Sequence, residues 1–329
     1  MELNPIKQPI IALHGGVSSN ESLLNFVNNV IKYMAPRGVN TCVIEVDYSF
    51  KMKCFPELCE GSIDPDVLAK ACDDLRAAGV EPIPLFNTFG HQGWTSRNSL
   101  LRAHPELDET PWLEDGKDFR GGDFEWYPPL DEKGRWSYAY NPTVCLSRED
   151  AYDYFFPIID ELIEITKCKT FHVGMDEVYL ISQCERCRNI PRHVLFGRMI
   201  NKVHDHLAEK GVRMMMWGDR LINVLRYEPT WMARPGSHTH GDFDDLGTFL
   251  CVDDIPKDIL MVAWHYGHCD YGFAEDLLDH GHTVLPAAWD DPENARYLWE
   301  NSKKAALKNN APERLPGMVL CCWSDINQI

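Results

Sequence analysis

The sequence predicts a (β/α)8 barrel. Three observations carry that expectation: eight short apolar runs of strand length, amphipathic stretches of helical period between most of them, and a length of 329 residues that suits one such barrel. No low-complexity linker divides the chain, so a single domain over residues 1–329 is expected.

Residues 9–16, PIIALHGG, read as the first strand, ending in glycines. Ser19 or Asn20 can cap the following helix, with Leu24, Val27, Ile31 and Met34 on one face. NTCVIEVDY, 40–48, is the second strand. Asp64 followed by Pro65 is a helix start, and Val67, Leu68, Ala71, Leu75 and Ala78 form its buried stripe before Gly79. EPIPLFNTFG, 81–90, is the third strand. An insertion over about 90–146 follows, rich in Trp, Pro, Gly and Asp; its length without periodicity marks a functional loop.

Ser147 then caps a helix carrying Tyr152, Phe155, Ile159, Leu162 and Ile163. KTFHVGMDE, 169–177, is strand four, and a helix over 192–210 presents Leu195, Met199, Val203 and Leu207 before Gly211. VRMMMWGDR, 212–220, is strand five, and 221–257 reads as irregular, leaving the fifth helix degenerate. ILMVAWHYG, 259–267, is strand six, followed by a short helix around Ala274 to Leu278 that Gly281 ends. HTVLPAAWD, 282–290, is strand seven, and Asp291 with Pro292 starts a helix through Ala295, Leu298 and Trp299. GMVLCCWSD, 317–325, is strand eight, with no room for a final helix. A missing last helix would leave barrel wall exposed, which makes a homodimer plausible.

Composition narrows the function. Hydrophobic residues make up 44% and charged residues 25%, an ordinary globular balance. The formal net charge of −18 argues against nucleic acid or an anionic membrane as partner, because phosphate binding needs a basic face. A neutral ligand such as a sugar is compatible with it. No apolar stretch approaches the roughly 20 residues of a membrane-spanning helix. The start, MELNPIKQPI, lacks a basic leader and a long apolar core, so a cytoplasmic location with reduced thiols is expected for the 12 cysteines. Cys184 and Cys187 form a C-x-x-C pair. A zinc site would need two further ligands, for which His172, Cys251 or Cys269 could fold back; the plainer expectation is a loop with two free thiols and no metal.

Polar residues follow the apolar part of nearly every strand. His14 follows strand one, Glu45 and Asp47 end strand two, and Asn87 and His91 follow strand three. Asp176 and Glu177 follow strand four, while Trp217 and Asp219 close strand five. Trp264, His265 and Tyr266 end strand six, Trp289 and Asp290 strand seven, Trp323 and Asp325 strand eight. In a barrel these positions converge on the C-terminal mouth, where such folds build their sites. Carboxylates with tryptophans suit a sugar: aromatic faces pack on ring C–H groups, and carboxylates bind hydroxyls and move protons. Adjacent Asp176 and Glu177 can serve one pocket only where the strand turns outward at the mouth, and Gly174 just upstream permits close approach there.

HVGMDEV resembles the H-x-G-x-D-E signature of glycoside hydrolase family 20, the β-N-acetylhexosaminidases. GVEPIPLFNTFGH is similar to the family's third-strand segment, MMMWGD to its fifth-strand tryptophan, and CCWSD to its terminal W-x-E/D. The likeness covers the whole chain as a catalytic barrel, nearest the hexosaminidase D-like branch. It implies an exo-acting, retaining hydrolysis of terminal β-linked GlcNAc or GalNAc on glycans or glycoconjugates, without a cofactor. In that scheme the substrate's 2-acetamido oxygen attacks the anomeric carbon. Asp176 would orient the acetamide and stabilise the oxazolinium, Glu177 would act as acid and then base, and His91 would hold the carboxylates. Trp217, Trp264 and Trp323 would wall the acetamide pocket and Asp325 would bind hydroxyls. The family's arginine after strand one and its acetamide-binding tyrosine after strand seven have no counterpart; His14 and Trp289 stand there, and Tyr266 is the candidate substitute.

Other readings are open on the residues alone. Asp176 and Glu177 could be a surface ion-pairing set, and Trp112, Trp126 and Trp136 are expected to pack the insertion rather than stack on sugar. A metal-dependent barrel hydrolase or isomerase would use His172, His238, His240 and His265, and a non-catalytic sugar-binding barrel would share the same rim.

Overall fold

The computed structural model describes residues 9–93, 96–117, 142–223, 247–266 and 273–323. Eight parallel strands close into one barrel in chain order, with the first strand paired to the last. The predicted strand count and closure are therefore found. Alternate residues point inward, where Val43, Leu85, Met215, Val262, Leu285 and Val319 fill the barrel; the opposite faces meet the helices in a second, larger apolar layer.

β1 (Ile10–Gly16) leads to α1 (Asn20–Asn29). Ser19 caps it: its Oγ accepts the Ser22 N–H, and Ser22 Oγ accepts the Ser19 N–H. The buried face is Leu23, Phe26 and Val27. Leu24, expected inside, is 39% exposed. Both stripes satisfy the helical period, and the one carrying Phe26 buries more apolar area. β2 (Thr41–Glu45) and α2 (Pro65–Ala77) follow. Pro65 opens α2 as expected, but Asp64 does not cap it; its carboxylate accepts from Asn20 Nδ2 and Lys51 Nζ, both at 2.6 Å.

β3 (Glu81–Leu85) stops five residues before the expected end, and α3 (Ser99–Ala103) stands within the long segment after it. α4 (Tyr152–Thr166) starts later than Ser147, after a 3-10 turn at Glu149–Ala151. The Ser147 hydroxyl lies 3.1 Å from Cys145 Sγ instead of capping the helix. β4 (Thr170–His172) has only three residues. α5 (Arg192–Glu209) buries Leu195, Met199, Val203 and Leu207 as the period predicts.

β5 (Arg213–Trp217) and β6 (Leu260–Trp264) are separated, among the described residues, by 3-10 turns at Asp219–Leu221 and Thr248–Cys251. α6 (Phe273–Asp279), β7 (Thr283–Ala288), α7 (Pro292–Lys308) and β8 (Gly317–Cys322) complete the barrel. Asp291 caps α7, its Oδ1 accepting the Glu293 N–H at 2.8 Å. The expected lack of a final helix lies outside the described residues. No described helix is long and apolar enough to cross a membrane.

Candidate active site

The chain leaves β4 by a sharp outward turn. Gly174, Met175 and Glu177 have φ of 72°, 72° and 49°, a left-handed run that breaks strand alternation. It is pinned by the Gly174 N–H on His172 Nδ1 (3.1 Å) and the Trp217 N–H on the Gly174 carbonyl (3.0 Å). The Glu177 N–H donates to Asp219 Oδ2 at 3.0 Å. Asp176 and Glu177 are consequently brought to the same imidazole. His91 Nε2 is 3.1 Å from Asp176 Oδ2 and 3.0 Å from Glu177 Oε2, and all three side chains are nearly buried. That geometry excludes the surface ion-pair reading.

Burial works against a charged His91, but the Asp176 and Glu177 carboxylates outweigh it and hold its pKa well above the ordinary value. Asp176 is shifted upward, chiefly by burial, with the His91 charge opposing. Asp219 is driven well up by burial and by the nearby Asp176 charge. His172 is pushed the other way, by burial and then by His14, so it is a neutral turn-capping residue.

Two glycines let the loops after β3 and β4 close on each other. A Cβ on Gly174 would lie 1.9 Å from Asn87 Oδ1, and one on Gly90 would lie 2.6 Å from Val178 Cγ2. The close approach places Asn87 over the end of β2. Its backbone N–H and Nδ2 donate to Asp47 Oδ1 and Oδ2 at 2.7 and 3.1 Å, and Nδ2 also reaches Glu45 Oε1 at 3.2 Å. Glu45 Oε2 is 2.8 Å from His14 Nε2. Burial disfavours a charged His14, yet hydrogen bonds to Cys321 and Glu45 raise its pKa to about 10. Burial and the Glu45 charge raise Asp47 to about 8.

Opposite this polar arc stands an aromatic wall. Trp264 stacks on Tyr266 at 5.2 Å between centroids, and Tyr266 meets Trp289 and Trp323 edge-on at 5.8 and 6.4 Å. Trp217 lies deeper, 6.1 Å from Trp323, with His14 against both indoles. Trp323 is 38% exposed and forms the rim. Asp176 Oδ1 and the Tyr266 hydroxyl are among the buried polar atoms here that make no hydrogen bond, with His14 Nδ1, Asn87 Oδ1 and Asp219 Oδ1. The Asp176 charge acts on Tyr266, whose pKa burial and the neighbouring Cys321 raise well above the ordinary value.

Of the residues singled out in the sequence, the structure brings together His14, Glu45, Asp47, His91, Asp176, Glu177, Trp217, Asp219, Trp264, Tyr266, Trp289 and Trp323. Asp290 is exposed beyond the end of β7. Asp325, Trp126, Trp136, His238, His240 and Cys269 lie outside the described residues. Trp112 is 60% exposed, so it does not pack the insertion as expected. The sequence reading also missed Gln92. Its fully buried amide donates to the carbonyls of Asn87, Thr88 and Gly90, and its Oε1 accepts from Tyr48 and Asn98. That knot fixes the loop bearing His91; the only signal was its place beside the histidine.

The C-x-x-C pair also has company the sequence did not suggest. His172 is engaged at the β4 turn, and Cys251 donates to the Thr248 carbonyl at 3.1 Å. Glu109 and Cys145 stand beside Cys184 and Cys187 instead.

The fold is a closed (β/α)8 barrel with its carboxylate pair just past β4, at the C-terminal mouth. The chain belongs to glycosyl hydrolase family 20: the model of that family's catalytic domain matches residues 79–325. Among solved structures, the chain is similar to a Flavobacterium johnsoniae chitobiase (TM-score 0.65, 15% identity), covering 97% of this chain and 45% of that one. A Vibrio harveyi exo-β-N-acetylglucosaminidase in complex with N-acetylglucosamine gives a TM-score of 0.62 at 14% identity, over 97% of this chain and 50% of that one. Dispersin B gives 0.57 at 14% identity, over 98% of this chain and 93% of that one. The chain thus spans about half the length of the first two, and these likenesses establish the fold. No curated protein matches by sequence.

Proposed function

We propose that the protein is an exo-acting, retaining β-N-acetylhexosaminidase that uses the substrate's own acetamide as nucleophile. The observation that carries the reading is the pair of buried, unpartnered atoms, Asp176 Oδ1 and the Tyr266 hydroxyl, beside an aromatic wall. An acetamide offers one N–H and one carbonyl oxygen. Ionised Asp176 accepts the N–H, and Tyr266 donates to the oxygen, aiming it at the anomeric carbon. As the carbonyl oxygen closes on that carbon, positive charge develops on the oxazolinium and Asp176 stabilises it. Glu177 protonates the departing glycosidic oxygen, then takes a proton from the water that opens the ring.

His91 ties the two carboxylates in place. The Trp217 and Trp323 indoles enclose the acetamide methyl, while Trp264 backs Tyr266. Trp289, Glu45, Asp47, Asp219 and His14 frame the remaining sugar hydroxyls or the residues that hold them. The reading extends to terminal GlcNAc or GalNAc on glycans and glycoconjugates, in keeping with the exo-acting Vibrio harveyi neighbour. It also places the enzyme in the cytoplasm, a compartment that keeps thiols such as Cys184 and Cys187, 3.1 Å apart, reduced.

Turnover of paired aryl N-acetyl-β-glucosaminide and N-acetyl-β-galactosaminide tests the activity. A thiazoline mimic of the oxazolinium tests the acetamide step: tight competitive inhibition is expected, and indifference to it would remove that step.

A further inference from the structure

Four side chains from distant parts of the sequence converge in a second cluster. Cys184 and Cys187 belong to the loop between β4 and α5. Glu109 and Cys145 sit side by side where Asp108 and Val144 form an antiparallel bridge, with the Glu109 N–H on the Thr143 carbonyl (2.9 Å) and the Cys145 N–H on the Leu107 carbonyl (2.8 Å). The Cys184 sulfur is 3.1 Å from that of Cys187 and 3.5 Å from that of Cys145; Cys145 and Cys187 are 4.0 Å apart. Glu109 Oε1 and Oε2 are 3.0 and 3.3 Å from Cys187 Sγ. One donor atom from each residue lies within 4.8 Å of all the others. A tetrahedral zinc ion, with zinc–sulfur bonds of about 2.3 Å, spaces its sulfurs roughly 3.8 Å apart, so the cluster already has the required size.

Glu109 supplies an independent argument. It is 1% exposed, and among the described residues no lysine, arginine or histidine pairs with it. A carboxylate buried without a cation is costly. Its Oε1 accepts the N–H groups of Gln183 and Cys184 at 2.5 and 3.1 Å, which fixes the plane of the carboxylate and leaves Oε2 for a metal. The Cys184–Cys187 segment is a tight turn, its Cys187 and Arg188 N–H groups both on the Cys184 carbonyl, which turns both sulfurs to one side. Three soft sulfurs and one carboxylate select zinc over magnesium or calcium, and four protein donors leave no open position for a reactive water.

We propose that Glu109, Cys145, Cys184 and Cys187 form a structural zinc site that ties the Asp108–Val144 bridge of the segment after β3 to the loop after β4. Those two loops carry His91 and the Asp176–Glu177 pair. The ion replaces the thiol protons, so binding releases protons and involves no oxidation.

The test is made on the full chain, purified with reductant, loaded with zinc and freed of excess by gel filtration. Elemental analysis is expected to give about one zinc per chain, as a four-ligand closed site requires. Cobalt in its place is expected to show thiolate-to-cobalt charge-transfer and tetrahedral d–d bands. Cys145→Ser and Cys184→Ser should each weaken zinc binding at least about tenfold, whereas Cys59→Ser, outside the cluster, should not. Removal of the zinc by a chelator should lower Tm. Wild-type protein that is folded yet retains no zinc would overturn the proposal, as would zinc content unchanged in the cluster variants. A Cys184–Cys187 disulfide in the freshly purified protein would overturn it too. The cobalt spectrum of the wild type decides the matter even where a variant fails to fold.

Discussion

The Nε2 of His91 is shared between two neighbouring carboxylates, 3.1 Å from Asp176 Oδ2 and 3.0 Å from Glu177 Oε2. Burial alone would strip such a ring of its charge; the neighbouring carboxylates, Asp176 foremost, restore it. The dependence is mutual, because Asp176 is already shifted upward by burial and is held back by the His91 cation. His91→Asn removes that restraint, so Asp176 should ionise at higher pH. The acid limb of the kcat/KM profile should move upward, with a rate loss of roughly 10²-fold at the optimum. An acid limb in its original place would show that His91 does not hold Asp176.

Glu177 and Asp176 should fail differently when neutralised. Glu177→Gln is expected to cost roughly 10²- to 10⁴-fold on alkyl glycosides, which need a proton at the leaving oxygen, and much less on dinitrophenyl glycosides. Asp176→Asn should damage both, because positive charge on the oxazolinium forms whatever departs. Steady-state rates across a series of leaving groups separate the two; equal slopes for both variants would contradict the assignment.

Tyr266→Phe deletes one donor aimed at the acetamide oxygen. A loss of roughly 10²-fold in kcat with little change in Tm is expected, since the hydroxyl makes no hydrogen bond within the protein. A fall in Tm with unchanged kcat would assign the hydroxyl to the fold.

Gly174→Ala adds a methyl 1.9 Å from Asn87 Oδ1 at a φ of 72°. Left-handed backbone and overpacking each cost about 1–3 kcal/mol, so a Tm lower by several degrees is expected. Activity should fall further than stability, because Asn87 and the carboxylate pair are displaced together. Thermal melts and single-turnover rates on the folded fraction measure the two effects.

His14 governs part of the pH dependence of stability. Its pKa, opposed by burial and raised by Cys321 and Glu45, is about 10 in the fold against an unfolded value near 6.5. The folded chain therefore holds a proton that the unfolded chain has lost. That contribution is complete below about pH 6.5 and disappears as pH rises to 10. Denaturant unfolding should show stability declining across this window, and His14→Gln should decline less steeply. An identical decline in the variant would mean that the pair with Glu45 contributes nothing.

The barrel was legible because apolar runs such as ILMVAW and TVLPAA are long enough to read, and because polar residues cluster just past them. The site's residue types were legible for the same reason. Its geometry was not. Nothing in the identities of Met175 or Glu177 announces a positive φ, and Gly174 was legible only as a place of close approach. The α1 stripe misread Leu24 because two apolar rows satisfy one period. Cys184 and Cys187 were visible as a pair, but Glu109 lies 78 positions from Cys187, a separation that spacing rules cannot bridge.

The buried amide of Gln92 has one further consequence. Gathering the carbonyls of Asn87, Thr88 and Gly90 onto a single side chain leaves the adjoining imidazole no slack to take up when a ligand arrives. The entropy of ordering that limb is lost once, during synthesis of the native state, and not again at every visit. A rigid mimic of the reaction's high point would thus meet a finished receptor, arriving at encounter-limited speed and expressing its selectivity in residence time.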